Sequence, residues 1–138
     1  MQENEREVRR EVTLHAGRED VWQALTEPEL IERWLADGAE LDPREGGEVV
    51  FRYDGGEERR GRVEEIVREE RLRIRWRRQA FGESEVEFVL ADAAIGTRLI
   101  VVESAPALAP VATTAAWDDR LFALEVMSLR RGAALLSG

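Results

Sequence analysis

The sequence predicts an α+β protein whose helices and strands are set apart along the chain, not alternated as in a doubly wound sheet. Three observations carry this. Residues 7–15 alternate between apolar and polar; from residue 38 to about 104 the two-residue period returns in segment after segment; from about 115 the period becomes helical and stays so to about 136. Two short helical stretches follow the first alternating segment. The order is therefore one strand, two short helices, about six antiparallel strands and one long helix, in a single domain of 138 residues.

In the first strand Val8, Val12 and Leu14 share one parity while Glu7, Arg9, Glu11 and Thr13 share the other, with Arg10 interrupting the apolar row. Residues 1–6 are expected to fray. Asp20-Val21-Trp22-Gln23-Ala24-Leu25 reads as a short helix, with Trp22 in the core. A second helix is expected near 27–35, where Thr26 is placed to cap, Glu29 to reach back and Pro28 to occupy the first turn. Ile31, Trp34 and Leu35 form its apolar face.

Gly46-Gly47 and Asp54-Gly55-Gly56 mark turns on either side of Val49, Phe51 and Tyr53. A strand near 57–68 follows, then Arg71-Leu72-Arg73-Ile74-Arg75-Trp76-Arg77 and its partner Glu83-Ser84-Glu85-Val86-Glu87-Phe88. Setting Arg77 against Glu83, Arg75 against Glu85 and Arg73 against Glu87 puts opposite charges together and sets Ile74 against Val86 and Leu72 against Phe88. The arginine row reads as a solvated outer face. Each exposed pair there is worth only about 0–1 kcal/mol, so the ladder mainly fixes register.

A last strand near 96–104 places Leu99, Val101 and Glu103 on one parity, and within the small-residue, proline-bearing segment 104–114 the Pro106–Pro110 loop is expected to gate the pocket. Thr113 or Thr114 is placed to cap the final helix over 115–136, with Asp118 and Asp119 complementing its dipole. Trp117, Leu121, Leu124 and Ser128 form one stripe on it; Phe122, Val126, Leu129 and Ala133 form another. A helix apolar on two sides should be embraced by something curved.

Composition excludes several kinds of chemistry. Without cysteine there is no disulfide, thiol nucleophile or Cys-based metal centre, and without lysine there is no Schiff base. A net charge of −9 disfavours nucleic-acid binding, in which phosphate contacts dominate affinity. No apolar run reaches the length of a membrane span, and the N-terminus lacks a signal-peptide segment, so a cytoplasmic location is expected. His15, the sole histidine, reads as a surface residue; no metal site is expected and no Gly-x-Ser-x-Gly elbow is present. No cofactor is expected.

Taken in order, Val21-Trp22, Thr26-Glu27-Pro28, Arg33-Trp34-Leu35, Gly46-Gly47, Gly61-Arg62-Val63-Glu64-Glu65-Ile66, Leu72-Arg73-Ile74-Arg75-Trp76, Val86-Glu87-Phe88, Thr97-Arg98-Leu99 and Trp117 with Leu121 and Leu124 resemble the SRPBCC superfamily. Within it the chain is most similar to homologues of the C-terminal domain of the heat-shock-ATPase activator, grouped with polyketide cyclases. The likeness runs over about 8–136. It implies a helix-grip fold: a curved antiparallel sheet of six to seven strands wrapped around the long C-terminal helix, with a cavity between them that commonly accepts apolar small molecules. Members of the superfamily include carriers, receptors, cyclases and chaperone co-regulators, so the fold alone does not settle function.

The expected function is non-catalytic binding of a small hydrophobic or aromatic molecule. The alternatives are a stress-related interaction module with a chaperone or other protein partner, and a cyclase or aromatase-like enzyme. Trp34, Phe51, Tyr53, Trp76, Phe88, Val101, Glu103, Trp117 and Leu121 are the expected ligand-binding residues, on the inward parities or on the walls the resemblance implies. For Trp34, Trp76 and Trp117 simple filling of the interior is the competing reading. Glu103 is either a carboxylate at the cavity mouth or a partly exposed strand-end residue, and with Tyr53 it is the best available acid–base pair. Many relatives carry His-Ser-Gly where this chain has Glu103-Ser104-Ala105, so chemistry resting on that histidine does not transfer.

Overall fold

The computed structural model describes residues 6–78 and 82–137, with side chains described as far as Leu129. The elements are β1 (Arg6–Leu14), α1 (Arg18–Thr26), α2 (Pro28–Ile31), β2 (Gly38–Leu41), β3 (Glu48–Arg52), β4 (Glu58–Val67), β5 (Arg71–Arg78), β6 (Gly82–Asp92), β7 (Thr97–Ala105) and α3 (Pro110–Ser137), with a single 3-10 turn at Asp54–Gly56. The strands form one curved antiparallel sheet in the order β1-β7-β6-β5-β4-β3-β2. This is the α+β helix-grip arrangement: apart from the first strand, which returns to pair with the last, each strand hydrogen-bonds its neighbour in sequence.

Alternation decides which face is buried. Along β7, Thr97, Leu99, Val101, Glu103 and Ala105 are buried, whereas the intervening residues are more exposed. Leu72, Ile74 and Trp76 of β5 and Val86, Phe88 and Leu90 of β6 continue the same floor, and Trp117, Leu121, Leu124 and Ser128 of α3 lie against it. The β5–β6 register pairs Arg77 with Glu83, Arg75 with Glu85, Arg73 with Glu87, Ile74 with Val86 and Leu72 with Phe88, as the charge pattern predicts. The ion pairs themselves are mostly diagonal: Arg73 Nε lies 3.5 Å from Glu85, Arg75 Nη1 3.9 Å from Glu83, and Arg75 Nε 2.8 Å from Glu64 on the other neighbour. Strand twist brings such diagonal side chains within reach of one another.

Several expectations are corrected. Arg6 is the first residue of β1, paired with Ala105, whereas 1–5 lie outside the described residues. Thr26 does not cap α2: α1 runs through Thr26, whose hydroxyl donates to the Trp22 carbonyl at 2.8 Å, and Glu27 takes the cap position without a side-chain bond. α2 is only four residues long, although Ile31, Trp34 and Leu35 are all buried as its pattern requires.

α3 starts at Pro110, five residues earlier than expected, because proline needs no N–H partner in a first turn; Thr113 N–H already donates to the Ala109 carbonyl at 2.9 Å. Neither threonine caps the helix. Asp118 lies farther along it and receives Arg10 Nε at 2.7 Å, joining α3 to β1. The second apolar stripe is not embraced: Phe122 is 67% and Leu129 52% exposed, while Ala133 lies beyond the described side chains. The proline-bearing segment is tied down by Leu108, which is buried and whose carbonyl accepts from Arg6 at 3.4 Å.

Candidate functional site

The chemically distinctive part of the interior lies where β3, β4 and β5 face α3. Tyr53 continues the inward row of Val49 and Phe51 just past the end of β3. Arg59 shares the inward parity of β4 with Gly61 and Val63 and is only 4% exposed. Its guanidinium carbon sits 4.6 Å from the Tyr53 ring centre and 4.8 Å from that of Trp76. Arg120, nearly one turn beyond Trp117 on α3, places its guanidinium 5.3 Å from Tyr53 and 5.1 Å from Trp117. Tyr53 thus has a cation near its ring from the sheet and another from the helix, at cation–π distances.

Two carboxylates belong to this cluster. Glu57 Oε1 accepts from Arg59 Nε at 2.9 Å and from Arg78 Nε at 3.1 Å, clamping the two arginines that are neighbours across β4 and β5. Burial pushes the Glu57 carboxyl up, but hydrogen bonds and charge from Arg59 and Arg78 outweigh it and hold the group below the usual carboxylate range. Glu103 is 2% exposed and accepts from Trp117 Nε1 at 2.8 Å. It is therefore an inward interior residue, not a strand-end one.

Burial likewise sets the protonation of the other two groups. Desolvation raises the Tyr53 phenol above 10.0, against the opposing pull of Arg120 and Arg59. Desolvation lowers the Arg120 guanidinium below its ordinary value, and the like charges of Arg59 and Arg78 add to it while Tyr53 and Glu103 oppose. The phenol is thus a neutral hydrogen-bond donor at physiological pH. Because Tyr53 is the sole tyrosine, tyrosinate absorbance reads it alone, and its midpoint is expected above 10.0. A folded-state pKa raised over the unfolded one makes stability fall as pH climbs from about 10 through the folded value. A midpoint at or below 10 in folded protein contradicts this burial.

The remaining aromatics interlock. Phe51 meets Trp76 edge to face at 5.6 Å, and Phe88 meets Trp34 at 6.2 Å and Trp117 at 5.9 Å. Trp34, Phe51, Trp76, Phe88, Val101, Trp117 and Leu121 are all buried, so these expected ligand contacts currently contact one another. Trp34 Nε1 donates to the Ala24 carbonyl at 2.9 Å. Two buried polar atoms here have no hydrogen-bond partner among the described residues: the Tyr53 hydroxyl and Trp76 Nε1. A cleft of about 250 Å³, lined by Glu32–Asp37, Tyr53 and Arg120, opens at the Tyr53 side.

The sequence reading names Tyr53, Trp76, Glu103 and Trp117, which the structure brings to this region, and omits Arg59, Glu57 and Arg120. The signal existed for two of them. Arg59 lies four residues before Val63, on its parity, and Arg120 follows Trp117 at helical spacing next to Leu121. Arg10, which interrupts the apolar row of β1, meets Asp118 at the surface. His15 is exposed, and no cluster of metal-ligating side chains is found among the described residues. No helix among them is long and apolar enough to cross a membrane.

A curved sheet gripping a terminal helix, with polar groups buried in the seam, defines a helix-grip domain of the SRPBCC and polyketide-cyclase-like group. Residues 15–125 match the family described as Activator of Hsp90 ATPase homolog 1-like protein, and the chain belongs to that family. Among solved structures, MLL2253 from Mesorhizobium loti is 27% identical, with a TM-score of 0.80 over 91% of this chain and 98% of that one. DynU16, from the dynemicin biosynthetic locus, is 25% identical, with a TM-score of 0.78 over 86% of this chain, which spans only 45% of the DynU16 chain. The Aha1 dimer from Colwellia psychrerythraea shares the fold at 16% identity, with a TM-score of 0.74 over 89% of this chain and 96% of that one. No curated protein sequence matches this chain.

Proposed function

We propose that the protein binds a small hydrophobic or aromatic molecule at the seam between the sheet and α3, without transforming it. One observation carries the reading. Buried donors on Tyr53 and Trp76 lack acceptors among the described residues, both lie among apolar rings, and Tyr53 lines a cleft. An unpaired buried donor costs roughly 1–3 kcal/mol, a cost that a ligand supplying an acceptor removes. The family's folding pattern and the likeness to DynU16 support the same reading.

The two acid–base candidates argue for binding over catalysis. Glu103 accepts from Trp117 and fixes that ring, and Tyr53 holds its proton too tightly to serve as a base near neutrality. Native mass spectrometry of the purified protein, with titration by naphthalene-based probes followed by tryptophan fluorescence, tests the reading. Saturable one-to-one binding is expected. No saturable binding and no co-purified mass would overturn it.

A second reading, an interaction module acting on a chaperone ATPase, is favoured by the exposed apolar row of Val111, Phe122 and Leu129 along α3 and by the family's description. An ATPase rate unchanged by saturating protein would remove it.

A further inference from the structure

Resting on the binding reading above, we infer that the Tyr53 end of the seam is a subsite for an anionic group, and that the ligand is an apolar or aromatic carboxylic acid bound as its carboxylate. Two donors line the cleft there: the Tyr53 hydroxyl, buried without a partner among the described residues, and the Arg120 guanidinium, which lies over the Tyr53 and Trp117 rings. Behind them Arg59 lies over the Tyr53 and Trp76 rings, and the Trp76 indole N–H is likewise buried without a partner among the described residues. Every one of them donates hydrogen bonds, and a guanidinium presents its donors in a planar fork matched to a carboxylate.

The charged groups of the cleft set its preference. Its lining carries Glu32, Arg33, Asp37 and Arg120; Glu32 accepts from the Ala39 amide at 3.0 Å and Asp37 from the Asp54 amide at 2.8 Å, so each of these carboxylates already has a donor. Arg59 is held by Glu57 at 2.9 Å, whereas Arg120 makes only ring contacts among the described residues, which leaves its fork available to an anion.

Size sets the body of the ligand. At about 250 Å³ the cleft lies just below the roughly 300–1,000 Å³ of drug-sized sites, so a one- or two-ring acid fits it and a long lipid does not. The rings of Trp34 and Tyr53 at its wall offer the apolar contact.

The test compares 2-naphthoate with the isosteric, uncharged 2-naphthamide by isothermal titration calorimetry. The wild type is expected to bind the carboxylate at least about tenfold more tightly, as charge-assisted hydrogen bonds are about twice as strong as neutral ones. Arg120→Gln is expected to bring the two probes within about threefold of each other, chiefly by weakening the carboxylate. Tyr53→Phe removes only the hydroxyl and is expected to weaken the carboxylate selectively, which keeps the test decisive if the arginine variant folds poorly. Equal binding of the two probes by the wild type, or an equal loss of both in the variants, overturns the subsite and leaves the binding reading standing. Absence of saturable binding by either probe overturns both.

Discussion

Trp117→Ala is expected to cost roughly 3–5 kcal/mol from the lost ring and the cavity it leaves, with roughly 1–3 kcal/mol more from the carboxylate it orphans. Trp117 is fully buried, stands edge-on to Phe88 at 5.9 Å and gives Glu103 its hydrogen bond at 2.8 Å. Removing the ring therefore opens the seam and leaves a buried acceptor without its donor. Chemical denaturation of Trp117→Ala beside Trp117→Phe separates these effects. The phenylalanine variant keeps most of the ring volume but not the N–H, so its loss is expected near about 1–3 kcal/mol. Equal stability of wild type and Trp117→Phe would show that the Glu103 bond contributes nothing. Phe122→Ala, on the exposed side of the same helix, is expected to stay within about 0.5 kcal/mol of wild type.

Gly61→Ala is the second large effect. Gly61 sits opposite Trp76 in the β4–β5 register, just before the irregularity between Val63 and Glu65. A methyl group added there would lie 1.8 Å from the Arg75 carbonyl oxygen and 2.7 Å from Trp76 Cα, both backbone atoms that cannot turn aside. Forcing the strands apart is expected to cost about 1–3 kcal/mol or more, and it shifts Trp76, whose ring lies against Arg59. Gly38→Ala makes the comparison: its methyl would meet only the Arg52 side chain, at 3.4 Å, so thermal denaturation should show little change. A Gly61→Ala protein as stable as Gly38→Ala would refute the close approach.

The fold was largely legible because alternation and charge are local signals with one consistent solution. Arg73, Arg75 and Arg77 find Glu87, Glu85 and Glu83 in only one register, and that register simultaneously buries Ile74 with Val86 and Leu72 with Phe88. Helix ends were less legible. Thr26 offers a cap by residue type, yet the preceding helix takes it up, since its hydroxyl bonds equally well to a carbonyl four residues back. The site was half legible. Aromatic residues announce burial by themselves, whereas Arg59 and Arg120 read as solvent-facing charges. Their burial depends on the rings of Tyr53 and Trp76, which come from other segments and meet them only on folding. The exposure of Phe122 and Leu129 was hidden for a related reason: a helical period shows an apolar stripe but not whether a neighbour covers it.

The sheet does not close on itself; its outermost members are β1 and β2. β2 is four residues long, a short template for another chain, but β1 is nine residues long and has no strand on its outer side among the described residues. Along it Arg6, Glu7, Arg9, Arg10 and Glu11 crowd the margin with both signs of charge. A foreign strand docking there would have to bury or match that dense alternating row, a poor bargain for most sequences. The same residues that make the first segment look unpromising as core thus guard the molecule against polymerising through its longest open border.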